Sequence, residues 1–201
     1  MRITGTEKLG KGRYCVKLEG VAEEFILYRG ELRRYGIEAG AELSEADYAE
    51  IRETVLYKRA QNRLLYLLQR KDYTHAELTR KLREGAYPED IAERAVAVME
   101  EYGYVDDASY AMRYAECYCG RKSSGSIKCE LLRKGIAKEL AEAALEEFAP
   151  DEETERTQIR NLLAKRHYDP ETADMNGRRK QYAYLMGKGY RSSDILACLG
   201  T

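Results

Sequence analysis

The chain has 201 residues, of which 44% are hydrophobic and 34% are charged, and it contains three Pro and no Trp. Its formal net charge of −1 argues against a protein whose main activity is to grip bare nucleic acid through an overall positive charge. The abundance of Leu, Ala, Glu, Lys and Arg favours a mainly helical fold of one large domain or several small ones.

Two further features bear on where the protein works. No apolar run approaches the roughly 20 residues that a membrane span needs, and the N-terminal sequence MRITGTEK lacks the apolar core of a signal peptide. We therefore expect a cytoplasmic protein with no membrane partner. Its five Cys are odd in number and scattered, which is typical of reduced thiols.

Residues 1–43 predict a small β-rich module. In RYCVKL, residues 13–18, alternate side chains follow the period of a strand, and EFILY, residues 24–28, predicts a second strand after a turn. The segment from Gly30 to Gly36 predicts a short helix with glycine at both ends.

Residues 44–104 predict the first of three helical units. Ser44, followed three residues later by Asp47, resembles a capping box and begins one long helix, or two, that ends near Asp72. Thr74 and Glu77 form a cleaner capping box at the start of the next helix.

The third helix of this unit follows a glycine stop. Gly85 is predicted to end the preceding helix in the C′ position, and Pro88 is predicted to lie in the first turn of the next helix. Helical spacing assigns the buried face of that helix to Ile91, Ala95, Val98 and Tyr102.

The same pattern recurs twice along the chain. In each case a short helix with Leu ends at a glycine, a brief loop follows, and the next helix buries an early apolar residue. The glycines are Gly85, Gly135 and Gly189, and the first buried residues are Ile91, Leu140 and Ile195. This repeat predicts tandem three-helix units that form an elongated array. We place them at residues 44–104, 105–149 and 150–201, behind the β-rich module.

Asp106 and Asp107 lie between the first two units, just before a predicted helix. A carboxylate at this point accepts hydrogen bonds from unpaired N–H groups of the first turn. A metal or catalytic role would need converging partners, and the two His of the chain lack ligand-like spacing. We predict no metal site, no cofactor and no catalytic residue. The predicted structural caps are Ser44, Thr74, Glu77, Asp106 and Asp107.

An ordered set of motifs resembles the RecX regulatory family. The stretch from Gly103 to Ala111 fits the pattern Gly-Tyr-[Leu/Val]-Asp-Asp-x-x-[Tyr/Phe]-Ala, and the segment from Leu132 to Ile136 follows it as Leu-Arg-Lys-Gly-Ile. Upstream, residues 77–85 supply Glu-Leu-x-x-Lys-Leu-x-x-Gly. The resemblance covers residues 45–200, and the β-rich module looks like an extension found in some members. The loose linker at residues 167–177 departs from the family pattern.

The resemblance implies a tandem array that binds the RecA recombinase, chiefly as a filament on single-stranded DNA. Proteins of this family lie in the helical groove of the filament and usually inhibit its growth, ATP hydrolysis and strand exchange. They are not enzymes. We accordingly expect a monomer whose partners are the RecA filament and, mainly within that complex, single-stranded DNA.

The distribution of charge agrees in part with such a partner. Residues 113–138 carry seven basic and two acidic side chains, and residues 156–191 carry nine and three. Between them, residues 139–155 carry eight acidic side chains and no basic one. Such blocks are common on solvated helical faces, but they also suit a partner that offers acidic protein and a phosphate backbone. The candidate residues for partner or DNA binding are Arg113, Arg121, Lys122, Lys128, Arg133, Lys134, Arg178, Arg179, Lys180, Lys188 and Arg191.

The segment GRKSSGSIKCELLRKG, residues 120–135, is the best single candidate for binding. One interpretation is a flexible loop before a helix, whose backbone N–H groups favour anions. The other is a plain interhelix loop with Ser126 as the N-cap.

Two neighbouring patterns have simpler interpretations. Cys117, Cys119 and Cys129 contain no CxxC pair and have no suitable His, which excludes a metal site of the usual kind. Tyr110, Tyr114 and Tyr118 recur at every fourth position, which predicts the packed face of a helix rather than a base-stacking surface.

Two other classes of function stay open. A direct DNA-binding helical regulator would use short helix pairs as helix-turn-helix units, but the basic side chains are spread over several units. A generic helical-repeat scaffold for another protein is the second alternative. An enzyme is the least favoured class, because the chain has no phosphate-binding loop, nucleophile elbow or ligand cluster.

Overall fold

The computed structural model describes residues 1–148 and 150–200. The chain divides into two compact units: unit 1 runs from Met1 to Val105, and unit 2 begins at Asp106. The predicted class is confirmed, since the chain is mainly helical with three three-helix groups and has a small antiparallel sheet at its N-terminus. None of the helices formed by the described residues has the length and apolar character of a membrane span.

Unit 1 begins with a three-stranded antiparallel sheet in the order β1–β2–β3. The strands are β1 (Ile3–Gly10), β2 (Arg13–Leu18) and β3 (Phe25–Tyr28). Lys11 and Gly12 between β1 and β2 both have positive φ, 52° and 73°, which suits the twist of a tight hairpin. The sequence predicts only β2 and β3, because Ile3 is the one fully buried residue of β1 and no alternation is visible there.

The helices of unit 1 follow the sheet. A short helix, α1 (Arg29–Arg34), comes first. A long helix then comprises α2 (Glu45–Glu50), a π-helical segment (Ile51–Tyr57) and α3 (Lys58–Leu68), which agrees with the predicted long helix. Two shorter helices, α4 (His75–Glu84) and α5 (Glu89–Glu101), complete the first three-helix group.

The sheet and the helices of unit 1 share one hydrophobic core. Val16 and Leu27 of the sheet belong to the same buried cluster as Ile51, Leu64 and Leu82 of the helices. Each such side chain contributes roughly 1.5–3 kcal/mol by leaving water. The β-rich segment is therefore packed onto the first helical group, and the boundary between residues 43 and 44 stays a prediction.

Unit 2 contains two further three-helix groups. The first comprises α6 (Asp107–Tyr118), α7 (Ser124–Arg133) and α8 (Lys138–Phe148), with a core that includes Ala111, Ile127 and Leu131. The second comprises α9 (Glu152–Lys165), α10 (Met175–Gly187) and α11 (Ser192–Leu199), with a core that includes Ile159, Leu185 and Ile195.

The linker before α10 is held by its own side chains. The Asp169 carboxylate accepts hydrogen bonds from the Glu171 N–H at 3.0 Å and from the Thr172 hydroxyl at 2.9 Å. Asp174 then caps α10 by accepting from the Gly177 N–H at 2.6 Å. The segment predicted as a loose linker is thus an ordered turn, because its Asp and Thr residues bond to nearby backbone and side-chain groups.

The turn before the third helix of each group fixes which residues are equivalent. The N–H groups of Tyr87, Ile136 and Tyr190 donate to the carbonyls of Leu82, Leu131 and Leu185, respectively. The residues with left-handed backbone in these turns are Ala86, Gly135 and Gly189, with φ of 54°, 84° and 82°. The second and third groups therefore use the predicted glycine, and the first group does not.

Gly85 differs from Gly135 and Gly189 because its backbone is not left-handed. It is the C-cap of α4 with φ −85°, and the left-handed position falls on Ala86. The prediction that Gly85 occupies C′ is therefore wrong by one residue. A Cβ atom on Gly85 would lie 3.0 Å from the Tyr87 ring, so this glycine makes room for a packed side chain instead.

Three smaller predictions are also corrected. Pro88 is the N-cap of α5 rather than a residue of its first turn. Tyr102 is 72% exposed, because the chain leaves the helix there and turns at Gly103. In α8 the first fully buried residue is Ala141, followed by Ala144, whereas Leu140 is half-buried.

Candidate functional site

Helix α6 begins at the aspartate pair that the sequence singles out. The Asp106 carboxylate accepts hydrogen bonds from the Ser109 hydroxyl at 2.6 Å and from the Ser109 N–H at 2.9 Å, and these bonds lower the pKa of Asp106. Asp107 is the first helical residue, where its charge complements the helix dipole. Within residues 1–148 and 150–200, no group of three His, Cys, Asp or Glu side chains is placed to hold a metal.

Two other helices begin with the predicted capping residues. Ser44 Oγ accepts from the Asp47 N–H at 3.0 Å and donates to the Asp47 carboxylate at 2.6 Å. Thr74 Oγ1 accepts from the Glu77 N–H at 3.2 Å, and the Glu77 carboxylate accepts from the Thr74 N–H at 3.3 Å. At Thr74 the capping box is reciprocal, because each residue accepts a hydrogen bond from the backbone N–H of the other. At Ser44 the Asp47 carboxylate instead accepts from the Ser44 hydroxyl.

Tyr110, Tyr114 and Tyr118 form a half-buried stripe along α6. All three pack against the core of this group, and the Tyr114 ring centroid lies 6.2 Å from that of Tyr110 and 4.6 Å from that of Tyr118. The Lys122 ammonium lies 4.1 Å from the centroid of the Tyr118 ring, and the Lys134 ammonium lies 5.3 Å from that of Tyr110. The stripe is a packed face edged by lysines, as the spacing predicts.

Two of the candidate binding residues are held by carboxylates. The Lys122 ammonium lies 2.5 Å from a Glu130 oxygen, which also accepts a hydrogen bond from the Tyr114 hydroxyl. Burial and this hydrogen bond raise the pKa of Tyr114. The Lys128 ammonium lies 2.6 Å from a Glu142 oxygen. The positive charges of both lysines are therefore compensated within the chain.

The segment at residues 120–135 is mostly helix rather than flexible loop. Ser123 is the N-cap of α7 and accepts from the Ser126 N–H at 3.1 Å, so the alternative with Ser126 as N-cap is wrong by three residues. Glu155, which is only 3% exposed, accepts from the Ser124 N–H at 2.8 Å and from the Ser124 hydroxyl at 2.7 Å. A carboxylate of the chain itself therefore occupies the helix start that one of the two interpretations assigns to an anion. No local pattern shows this, because Glu155 lies 31 residues further along the chain.

Two glycines bring the two helical groups of unit 2 into backbone contact. A Cβ atom on Gly125 would overlap the Gly189 carbonyl, and one on Gly189 would lie 2.7 Å from the Ser126 nitrogen. Beside them, the Ser123 hydroxyl donates to the Lys188 carbonyl at 2.6 Å. This contact, which we call the glycine seam, holds α7 against the turn before α11.

An open cleft of about 420 Å³ lies beside the glycine seam, and we call it the basic cleft. Of the predicted candidates, it collects Arg121, Lys122 and Lys188. It also takes in Lys165 of α9, which belongs to a basic block of the sequence but is not among the candidates. Glu130, paired with Lys122, is the one acidic side chain among the described residues that line it. The excess positive charge suits an anionic partner.

The floor of the basic cleft is polar but internally bonded. The buried Tyr190 hydroxyl donates to Gln158 at 3.0 Å, and Gln158 donates to the Cys119 carbonyl at 3.3 Å. Burial raises the pKa of Tyr190 to about 12, so the hydroxyl stays protonated at neutral pH. Binding in this cleft would therefore depend on the cationic side chains at its rim.

The remaining candidates lie elsewhere on unit 2. Arg113 is on α6, Arg133 and Lys134 are at the end of α7, and Arg178, Arg179 and Lys180 are on α10. Arg191 is the N-cap of α11 and lines a second hollow together with Lys128 and Glu142. The predicted set is thus distributed over several surfaces rather than gathered into one site.

The chain matches three family models in order. They describe the first, second and third three-helix domains of RecX, and they match residues 60–97, 106–145 and 151–199, respectively. These ranges correspond to helices α3–α5, α6–α8 and α9–α11.

Several relatives carry the name Regulatory protein RecX. The relative from Clostridium acetobutylicum is 29% identical over 165 residues, which covers 80% of this chain and 77% of the relative. The one from Trichlorobacter lovleyi is 33% identical over 138 residues, which covers 65% and 87%. The one from Cronobacter sakazakii is 32% identical over 154 residues, which covers 70% and 90%.

Two solved structures have the same fold. A crystal structure of regulatory protein RecX aligns with a TM-score of 0.63 and 27% identity over 96% of each chain. The crystal structure of RecX from Lactobacillus salivarius aligns with a TM-score of 0.58 and 24% identity over 69% of this chain and 91% of the other. With three domain models matched in order and relatives above 30% identity, the chain belongs to the RecX family of regulatory proteins.

Proposed function

We propose that this protein binds the RecA recombinase filament on single-stranded DNA and inhibits it. It acts as a monomer in the cytoplasm, lies in the helical groove of the filament, and slows filament growth, ATP hydrolysis and strand exchange without catalysing a reaction. The observation that carries the proposal is the succession of three RecX three-helix domains between residues 60 and 199.

The charge pattern of unit 2 supports a partner of mixed character. The acidic residues 139–155 lie in sequence between two basic blocks, and Arg121, Lys165 and Lys188 from those blocks line one cleft. A filament offers both protein surface and DNA phosphates. We assign the basic cleft to the phosphates and the exposed carboxylates of the acidic block to basic protein side chains.

The packing of unit 2 supports a clamp that binds as one body. The glycine seam and the buried Glu155 connect its two helical groups. Parts that are already ordered lose less conformational entropy on binding. Such a body, bridging neighbouring RecA protomers, would oppose filament extension and the entry of a second DNA.

The test is RecA's ATP hydrolysis on single-stranded DNA, with this protein titrated from far below one molecule per RecA protomer. We expect the rate to fall at substoichiometric amounts. An unchanged rate, with folded protein and no binding to the filament, would remove RecA as the partner.

A pair of double variants locates the contact. Arg121→Glu with Lys165→Glu reverses charge in the basic cleft and leaves the Lys122–Glu130 pair intact. Arg179→Glu with Lys180→Glu makes the same change on an exposed part of α10. We expect the first to inhibit only at higher concentration, with a difference that shrinks as salt rises. Equal losses in both would mean that the basic cleft is not the preferred contact for the phosphates.

A direct DNA-binding regulator predicts a different result. It would form a salt-sensitive complex with duplex DNA in the absence of RecA. Electrophoretic mobility shifts with duplex alone and with RecA-coated single strand, using one preparation, distinguish the two functions.

A further inference from the structure

Unit 1 has a cleft of its own, where the sheet meets the long helix and the turn before α5. Its volume of about 340 Å³ is within the range of small-ligand sites. Three arginines and two tyrosines line it, and none of the described lining residues is acidic. They are Arg13, Arg59, Arg63, Tyr28 and Tyr87, and we call this site the arginine–tyrosine cleft.

One of the arginines forms part of the wall. Arg59 donates to the Ile26 carbonyl at 2.9 Å and to the Glu31 carboxylate, and its guanidinium carbon lies 4.6 Å from the centroid of the Tyr28 ring. Glu31 also accepts from the Tyr28 N–H at 2.7 Å. The charge of Glu31 is therefore engaged with Arg59 and compensates neither of the other arginines.

Arg13 and Arg63 carry the uncompensated charge of the cleft. Both side chains are exposed, and the described part of the chain forms no salt bridge with either. The guanidinium of Arg63 lies 5.8 Å from the centroid of the Tyr66 ring, which leaves its N–H donors open. Guanidinium groups bind phosphate oxygens in pairs of parallel hydrogen bonds.

The tyrosines add a surface for a planar group. Tyr28 is 43% exposed and already has one guanidinium against its ring. Tyr87 is half-buried, and burial raises the pKa of its hydroxyl. Aromatic rings interleaved with cations are the usual platform for nucleotide bases.

The backbone at the rim of this cleft is also unusual. Ala86 has φ of 54°, whereas the equivalent positions in the other two groups are glycines. A left-handed backbone is strained for a residue with a Cβ atom. Such strain is often found where a loop is shaped for a ligand.

We propose that the arginine–tyrosine cleft binds one nucleotide unit, with its phosphate on Arg13 and Arg63 and its base against the Tyr28 ring. A free nucleotide and one unit of a single strand share this chemistry. An acidic peptide would satisfy the arginines but would leave the exposed ring without a stacking partner, so we favour the nucleotide. The site goes beyond the function proposed above, because it requires no RecA and uses no residue of unit 2.

The test is equilibrium binding to the full chain without RecA, with ATP in one titration and a fluorescein-labelled oligothymidylate in the other. Because unit 2 is itself proposed to contact phosphates, both probes are titrated in the Arg121→Glu, Lys165→Glu background, which serves as the wild type for this site. The cleft variant is Arg13→Gln with Arg63→Gln. The matched control is Lys8→Gln with Arg33→Gln, which removes the same charge from exposed positions outside this cleft.

We expect the cleft variant to weaken binding of at least one probe by about tenfold or more, and the control to change it by less than about twofold. Loss of ATP binding assigns the site to a free nucleotide, and loss confined to the oligonucleotide assigns it to a single strand. Tyr28→Ala should weaken ATP more than inorganic triphosphate, since only ATP has a base to stack. Thermal melting establishes that each variant is folded.

Three results would overturn the proposal. They are equal binding by the wild type and the cleft variant, no binding of either probe, and a preference for polyglutamate that the cleft variant loses. Each would leave the proposed action on RecA untouched, because that action is measured by ATP hydrolysis in RecA's presence.

Discussion

Gly125 and Gly189 lie with their backbones in contact, so that neither position has room for a Cβ atom. Gly189 also has φ of 82°, which a residue with a side chain adopts only with strain. Two separate constraints therefore require glycine at position 189. Its backbone is left-handed, and the backbone of Gly125 and Ser126 leaves no room for a Cβ atom.

The glycine seam predicts an unusually costly pair of small substitutions. Gly189→Ala should lower the free energy of unfolding by about 2–4 kcal/mol, because overlap adds to left-handed strain. Gly125→Ala should lower it by about 1–3 kcal/mol through overlap alone. Urea denaturation followed by circular dichroism measures both.

Gly187 provides the control for this prediction. It lies in α10, and a Cβ atom there would meet nothing within 4 Å. Gly187→Ala should therefore be neutral or stabilising by up to about 1 kcal/mol. A similar small effect of Gly189→Ala would mean that the two helical groups are not in close backbone contact.

The buried Glu155 predicts a second stability effect in unit 2. Glu155→Ala removes the acceptor for the Ser124 N–H and hydroxyl, which should cost about 1–3 kcal/mol. Glu155→Gln keeps an acceptor oxygen and should cost less. Hydrogen exchange at the Ser124 amide should accelerate in the alanine variant.

An exposed glutamate on the same helix tests whether burial matters. Glu153 forms a surface ion pair with Arg160, and both side chains are mostly exposed. Glu153→Ala should therefore change stability by at most about 1 kcal/mol. If Glu153→Ala and Glu155→Ala had the same effect, the helix dipole rather than the Ser124 contact would explain it.

Local features of the fold could be predicted from the sequence. Thr74 and Glu77 are three residues apart, so their mutual hydrogen bonds follow from spacing alone. Helical periodicity likewise gives the tyrosine stripe from Tyr110 to Tyr118. Each of these depends on residues within a few turns of one another.

Contacts across long stretches of chain could not be predicted in this way. Ser124 is bonded by Glu155 from another helical group, and Arg13 and Arg63 reach one cleft from a strand and a helix. The left-handed residue of the first turn is likewise Ala86 and not Gly85, and the contact that leaves no room for a side chain at Gly85 comes from the Tyr87 ring. The candidate site is therefore less predictable than the fold, since only tertiary structure brings its residues together.

The aspartate pair gives a prediction that separates capping from binding. Asp106→Ala together with Asp107→Ala should lower stability by roughly 1–2 kcal/mol, mostly through Asp106, whose carboxylate bonds to Ser109. RecA binding should fall only in proportion to unfolding. A double variant that kept its melting temperature and lost RecA binding would make the aspartates contact residues.

The stability that the Asp106 cap contributes decreases at acidic pH. Because hydrogen bonds from Ser109 lower the pKa of Asp106 in the folded state, its contribution is present above the unfolded pKa and is lost as pH falls through the folded pKa. Asp106→Asn should therefore flatten the acid limb of the stability profile. An acid limb identical to that of the wild type would rule out this contribution.

His75 predicts a dependence of the opposite sign near neutral pH. Its Nδ1 lies 2.8 Å from a Glu100 oxygen and its Nε2 lies 3.1 Å from a Glu93 oxygen. Partial burial opposes protonation, but the two carboxylates outweigh it and raise the pKa of His75 above its ordinary value of 6.5. The protonated imidazole therefore stabilises unit 1. This contribution is full below the unfolded pKa and is lost as pH rises through the folded pKa.

Urea denaturation between about pH 6 and pH 8.5 measures the free energy of unfolding over the range in which His75 loses its proton. The free energy of unfolding should fall more steeply with pH in the wild type than in His75→Gln, which cannot titrate. His167 is the other histidine, and its exposed side chain and left-handed backbone make His167→Asn the control for the loss of an imidazole elsewhere in the chain. If His75→Gln kept the wild-type profile, the two glutamates would not couple the protonation of His75 to folding.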